Sequence, residues 1–99
     1  MKDPYSASIF ALPVILDMQA ALPLKTALMA RWGAGLTINA SLVEKLGAQC
    51  LQVLLAARKS WDEAGQDFTI DSMSDSFASA LAGLGVMPAS LNTGNEVSA

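Results

Sequence analysis

The sequence predicts an α/β domain built as a four-stranded mixed sheet with three helices on one face. Three observations carry that expectation. Short β-branched and aromatic runs alternate with longer stretches whose apolar residues recur every three or four positions, glycines and prolines punctuate the joints, and 99 residues suit a single core. Strands alternating with helices imply crossover connections, so the later strands should run parallel.

Residues 8–16, "SIFALPVIL", are rich in Ile, Phe, Val and Leu and are broken by Pro13, as expected of two short strands joined at a bend or bulge. Asp17 ends the apolar run. In "AALPLKTALMARW" Pro23 suits the first turn of a helix, where its missing N–H leaves no bond unmade, and Leu24, Ala27 and Leu28 share one face. Gly33 and Gly35 close that helix and open "GLTINA", in which Leu36 and Ile38 alternate with Thr37 and Asn39 as a third strand. Leu46, Cys50, Leu54, Ala57 and Trp61, with Val53 beside Leu54, recur at steps of three or four. They predict an amphipathic helix of about 18 residues that Gly65 ends. Arg58 with Asp62 and Lys59 with Glu63 mark its solvated side. "DFTIDSM" is the fourth strand, and a last helix, capped by Ser72 or Ser74, buries Phe77, Leu81 and Leu84 before Gly85 stops it. The domain is expected to span residues 1–87, with the small, polar residues 88–99 as a flexible tail.

Composition removes several classes of function. Apolar residues make up 53% of the chain and charged residues 15%, which argues against disorder and for some exposed apolar surface, hence a binding face. The net charge is −3 and the longest cationic run, Arg58-Lys59, is followed by Asp62 and Glu63, so nucleic acid is not an expected partner. There is no histidine, no Gly-rich phosphate loop, no metal-ligand spacing and no nucleophile beside a base. No catalytic residue, metal or cofactor is therefore expected, and the chain does not read as an enzyme. The lone Cys50 lies in an apolar context typical of a buried thiol in a reducing compartment. Lys2 and the apolar stretch after it have the outline of a secretory signal, but Asp3, Pro13, Asp17 and Lys25 interrupt it. The expectation is a soluble cytoplasmic protein with no direct membrane insertion.

Three segments, taken in order and spacing, carry a family likeness over the chain to about residue 87. "LDMQAALPLKTAL" ends a short strand in Leu-Asp and starts a helix near a proline. "LTINASLVEKLGAQCLQVLLAA" joins a strand of alternating hydrophobic residues ending in Asn39, a short loop and a helix running on as Leu-Leu. "FTIDSMSDSFASALAGLG" closes with a strand and a helix ending in Leu-Gly. Together they resemble a STAS domain, the fold of anti-sigma-factor antagonists and of sulphate-transporter cytoplasmic tails, and point to a stand-alone bacterial protein of that kind. The resemblance implies a STAS-like βαβ sandwich and a protein-interaction regulator of signal transduction. Its partner would be an anti-sigma factor or a kinase, including kinases of chemotaxis systems. Alternatively the partner would be the ATPase of a lipid-transport ABC system, or the domain would take a small ligand or nucleotide. Weak homodimerisation also belongs to these expectations.

In that family a serine or threonine at the start of the central helix is the regulatory phosphorylation site. Exposed N–H groups and the helix dipole favour phosphate there, and an added charge of about −1.5 to −2 reshapes a partner interface. The likeness places Leu46 on the family's hydrophobic residue, Gly47 on its aspartate, Ala48 on its first serine, Gln49 on the phosphorylated serine and Cys50 on its glycine. None of the polar positions is kept. Gln49 cannot take phosphate, so the usual switch should be missing, and the implied docking face comprises Asn39, Ser41, Gly47, Ala48, Gln49 and Gln52. Ser41 is the nearest upstream hydroxyl and an alternative phosphosite, although a serine two residues after Asn39 also reads as a turn former. From the residues alone two readings of Gly47 to Cys50 stand: a tight helix entry with Cys50 inward and Gln49 solvated, or a partner contact that mimics the unphosphorylated state.

Overall fold

A computed structural model describes residues 8–87 and Leu91. Its strands are β1 (Ser8–Ala11), β2 (Ile15–Leu16), β3 (Leu36–Ala40), β4 (Lys45–Leu46) and β5 (Phe68–Met73), and its helices are α1 (Ala21–Met29), α2 (Ala48–Glu63) and α3 (Asp75–Gly83), with a 3-10 turn at Met18–Ala20 before α1. The α/β class fits the expectation, but the single four-stranded mixed sheet does not. Five strands form two separate ladders, β1-β3-β5 and β2-β4, and every pairing between them is parallel.

The physical reason lies at Pro13. Leu12 N–H donates the last bond from β1 to β3, to the Asn39 carbonyl at 2.9 Å. Proline has no N–H with which to continue the ladder. The chain bends away, and the Val14 carbonyl accepts instead from the N–H groups of Glu44 (2.8 Å) and Lys45 (3.2 Å). Thus β2 pairs with β4, an element absent from the periodicity reading, in which Leu46 was the first helical residue. A helical connection before β3 and another before β5 then leave β1, β3 and β5 parallel.

The three-stranded sheet has one buried face. Leu36, Ile38, Phe68 and Ile70 are buried, while Ile9 and Thr69, which share a register row with Thr37 on the opposite face, are exposed. A bulge at Ile38/Asn39 leaves Asp71 as the extra residue of β5, which brings Met73 level with Ala40 and keeps it packed against the core. Leu24 and Leu28 of α1, Cys50, Leu51, Leu54 and Trp61 of α2, and Phe77 and Leu81 of α3 complete one cluster with the sheet.

Local signals set the helix ends. Asp17 Oδ1 accepts from Gln19 N (3.1 Å) and Ala20 N (3.2 Å), so the carboxylate starts the 3-10 turn that leads into α1. Pro23 falls in the first turn of α1, and Gly33 at φ 105° turns the chain back toward β3. Of the two candidate caps for α3, Ser74 is the one used: its Oγ accepts from Phe77 N at 3.0 Å and donates to the Val43 carbonyl, while Ser74 N donates to Ala40 O at 3.1 Å. One serine therefore caps a helix and ties it to the β3–β4 loop.

One packing expectation is corrected, and one residue of the expected tail is placed. Leu84 is 43% exposed, because it is the C-cap residue of α3, beyond the turn that faces the core. Leu91 is fully buried in the core although it lies in the segment expected to be a tail; the rest of that segment, 88–90 and 92–99, lies outside the described residues, as do residues 1–7. Phe77→Ala should cost about 3 to 5 kcal/mol of unfolding free energy, because it empties a fully buried ring site. Ser74→Ala should cost about 1 to 2 kcal/mol, from the lost cap and the unpaired Val43 carbonyl. Urea midpoints at constant slope check both.

Candidate functional site

The start of α2 is fixed by the β2–β4 ladder. Gly47 N–H donates to Leu16 O at 2.8 Å, and Gly47 then serves as the N-cap with φ −91° and ψ 165°, an extended conformation open to any residue. A Cβ at this position would lie 3.4 Å from Leu16 O, an ordinary van der Waals contact, so neither space nor backbone conformation demands glycine here. Gly47 supplies no side-chain cap, which leaves the first N–H groups of α2 without the hydroxyl or carboxylate partner common at such ends.

Cys50 follows on the inner side of the first turn. It is fully buried, and its Sγ–H donates to the Asp17 carbonyl at 3.3 Å, binding the start of α2 to the turn before α1. Burial holds its thiol above the ordinary value of 9.0, and the negative charge of Asp17 acts in the same direction. Both causes disfavour the thiolate, which is the opposite of what a nucleophilic cysteine requires. Ala48, Gln49 and Gln52 face outward and are exposed.

Sequence reasoning placed six residues at this face, and the structure divides them. Asn39 and Ser41 form a turn of their own beyond β3, with Asn39 Oδ1 accepting from Ser41 N (2.9 Å) and from Ser41 Oγ (2.6 Å). That is the local bond expected of a turn-forming serine. Gly47 and Ala48 make the corner into α2. Gln49 and Gln52 lie together on the rim of an open groove of about 860 Å³ between α1 and α2.

This groove was not foreseen, although its signal was present. Beside the buried Leu24 and Leu28, the α1 segment carries Met18, Leu22, Met29 and Trp32, which remain 52 to 71% exposed and line the groove. A helix that is apolar on more than one side has a second face to cover. Trp32 closes one end, with its ring 5.0 Å from that of Trp61 in an edge contact. Trp61 in turn donates its Nε1–H to Ala34 O at 2.8 Å and packs against Phe68, so this end is braced against the sheet. Among the described residues Lys25 is the only charged one in the lining.

Compared with models of known protein families, with curated proteins and with solved structures, the chain matches none. Among the described residues no group of three or more His, Cys, Asp or Glu side chains could hold a metal ion, and no helix is long and apolar enough to cross a membrane.

The raised thiol makes a signed pH prediction. Folding favours the protonated form, so the Cys50 contribution to stability is fully present below 9.0 and is lost as pH rises from there through the higher folded-state value. Wild-type urea midpoints should fall more steeply across that alkaline window than those of Cys50→Ala. Disulfide-exchange reagents should label Cys50 slowly in the native protein and rapidly in denaturant.

Proposed function

We propose that this chain is a non-enzymatic docking module of the anti-sigma-factor-antagonist type, which binds a signalling partner, a kinase or an anti-sigma factor, through the start of α2 and the adjoining groove. The observation that carries this reading is the placement of Gln49 and Gln52 on the rim of an apolar groove whose other wall leaves Met18 and Leu22 about 70% exposed. Apolar surface of that kind, rimmed by neutral polar groups, is the usual anatomy of a protein contact. The resemblance to STAS domains, carried by the order and spacing of three segments, points to the same helix start.

Gln49 then acts as a fixed neutral group. A serine there alternates between an uncharged form and a dianionic phosphoserine, whereas glutamine retains donor and acceptor capacity and never gains charge. The module is thus held permanently in its binding form, and regulation falls to the partner or to the abundance of the chain. Asn39 and Ser41 are not among the described residues that line the groove, and the proposed contact rests on Gln49 and Gln52.

Photo-crosslinking in the native host tests the reading. A benzoylphenylalanine in place of Gln49 should capture a kinase or anti-sigma factor, identified by mass spectrometry, while the same group at the exposed Thr69 on the opposite sheet face should not. Capture of an ABC-type ATPase from Gln49 would assign the same surface to transport, and capture from Thr69 alone would place docking on the wrong face. Gln49→Glu should fold at least as well as wild type, because an acid in the first helical turn gains about 0.3 to 1 kcal/mol from the helix dipole. Its affinity for the captured partner should nevertheless fall, as measured by calorimetry.

A further inference from the structure

We propose that the groove between α1 and α2 receives a single amphipathic helix of the partner, whose apolar strip is flanked by an acidic residue that pairs with Lys25. This inference rests on the docking reading above and specifies the chemistry of what docks.

The dimensions suit a helix. The α2 wall runs from Gln49 to Ser60, which at 1.5 Å per residue is about 16 Å, or three helical turns. The small side chains of Ala56 and Ala57 lie along that wall and leave room for the apolar strip of an incoming helix. Met18 and Met29 stand on the opposite side, and their flexible thioethers adapt to the side chains that enter. This is the arrangement by which an apolar helix face is read at positions three and four apart.

Exposure separates a helix from a small ligand. Met18 is 71% and Leu22 70% exposed, so the groove is open along its length and a small molecule lying in it would stay wet on one side. A helix covers the groove with its own body and presents its polar face to water. Charge selects among helices. The chain is acidic overall, with net charge −3, yet among the described residues the one charged residue of the lining is a cation, Lys25. An acidic flank is attracted at that point, and a basic flank meets both Lys25 and an uncompensated cost. A second copy of this chain fits less well, because an isologous contact brings two Lys25-bearing faces together.

The test uses the full chain and a fluorescein-labelled, hydrocarbon-stapled peptide of three turns, with leucines at positions i, i+3, i+4 and i+7 and one flanking glutamate. Fluorescence polarisation should show saturable binding that Ala56→Trp abolishes by filling the groove. Ala56 is solvent-exposed, and circular dichroism will confirm that this variant is folded. Replacing the peptide glutamate with lysine should weaken binding about fivefold, the scale of an exposed attraction turned into a repulsion, and Lys25→Glu should restore the lysine peptide. Equal affinity for the two peptides, or binding that survives Ala56→Trp, overturns the proposal. So does a dimer by sedimentation equilibrium that Ala56→Trp dissociates, since the occupant is then a second copy. Partner capture at Gln49 that is indifferent to Ala56→Trp overturns the helix while leaving the docking surface in place. Peptide binding that follows both charge swaps without any capture at Gln49 removes the signalling partner instead.

Discussion

The two-residue ladder between β2 and β4 is the constraint on which the remaining geometry depends. It arises because Pro13 ends the β1 pairing and Val14 passes the chain to Glu44 and Lys45. Leu16 and Leu46 are then in register, and the residues after them, Asp17 and Gly47, are brought side by side. Asp17 starts the turn into α1 while Gly47 starts α2, so two helices that are distant in sequence begin at one point. The Cys50 thiol closes the same junction from inside. With their starts fixed here and Trp32 set against Trp61 farther along, α1 and α2 line a common groove.

A chain with 53% apolar residues and only 99 positions cannot hide them all. The core takes one face of the three-stranded sheet and one side of each helix. Among the exposed apolar residues, Met18, Leu22, Met29 and Trp32 line one groove beside α1, whereas Ile9 stands on the bare side of the sheet among threonines and Val14, Ile15, Leu42, Leu84 and Met87 lie outside the groove. The gathered set is a surface that a partner can dry in one step, and a scattered apolar residue is not. The Arg31 guanidinium lies 5.1 Å from the centre of the Phe10 ring and is not among the described residues that line the groove.

The proposed loss of a switch at Gln49 has a structural consequence for its neighbours. The α2 entry has no side-chain cap, and the negative charge of Asp17 at the same junction helps to keep Cys50 protonated. The first turn of α2 therefore has a neutral, inert interior and a neutral, exposed rim. The proposed contact would use shape, amide hydrogen bonding and the positive charge of Lys25.

Much of the fold was legible because it is written in local terms. The β-branched alternation of Leu36 to Asn39 and of Phe68 to Asp71, the periodicity from Cys50 to Trp61, and the glycines with positive φ at Gly33, Gly65 and Gly85 each act within a few residues. Cys50 facing inward and Gln49 facing outward follow from the same helical repeat. Tertiary structure alone decided the rest. Lys45 and Leu46 form a strand only because Ile15 and Leu16 come within hydrogen-bonding reach, an event that no local pattern announces, so the helix was expected to start too early. Leu91 is buried because a core surface awaits it, although its polar neighbours suggest a tail. The groove, finally, belongs to neither helix by itself: sequence determined that α1 has apolar residues on two sides, and only the packing of α1 beside α2 decided which of them would remain uncovered.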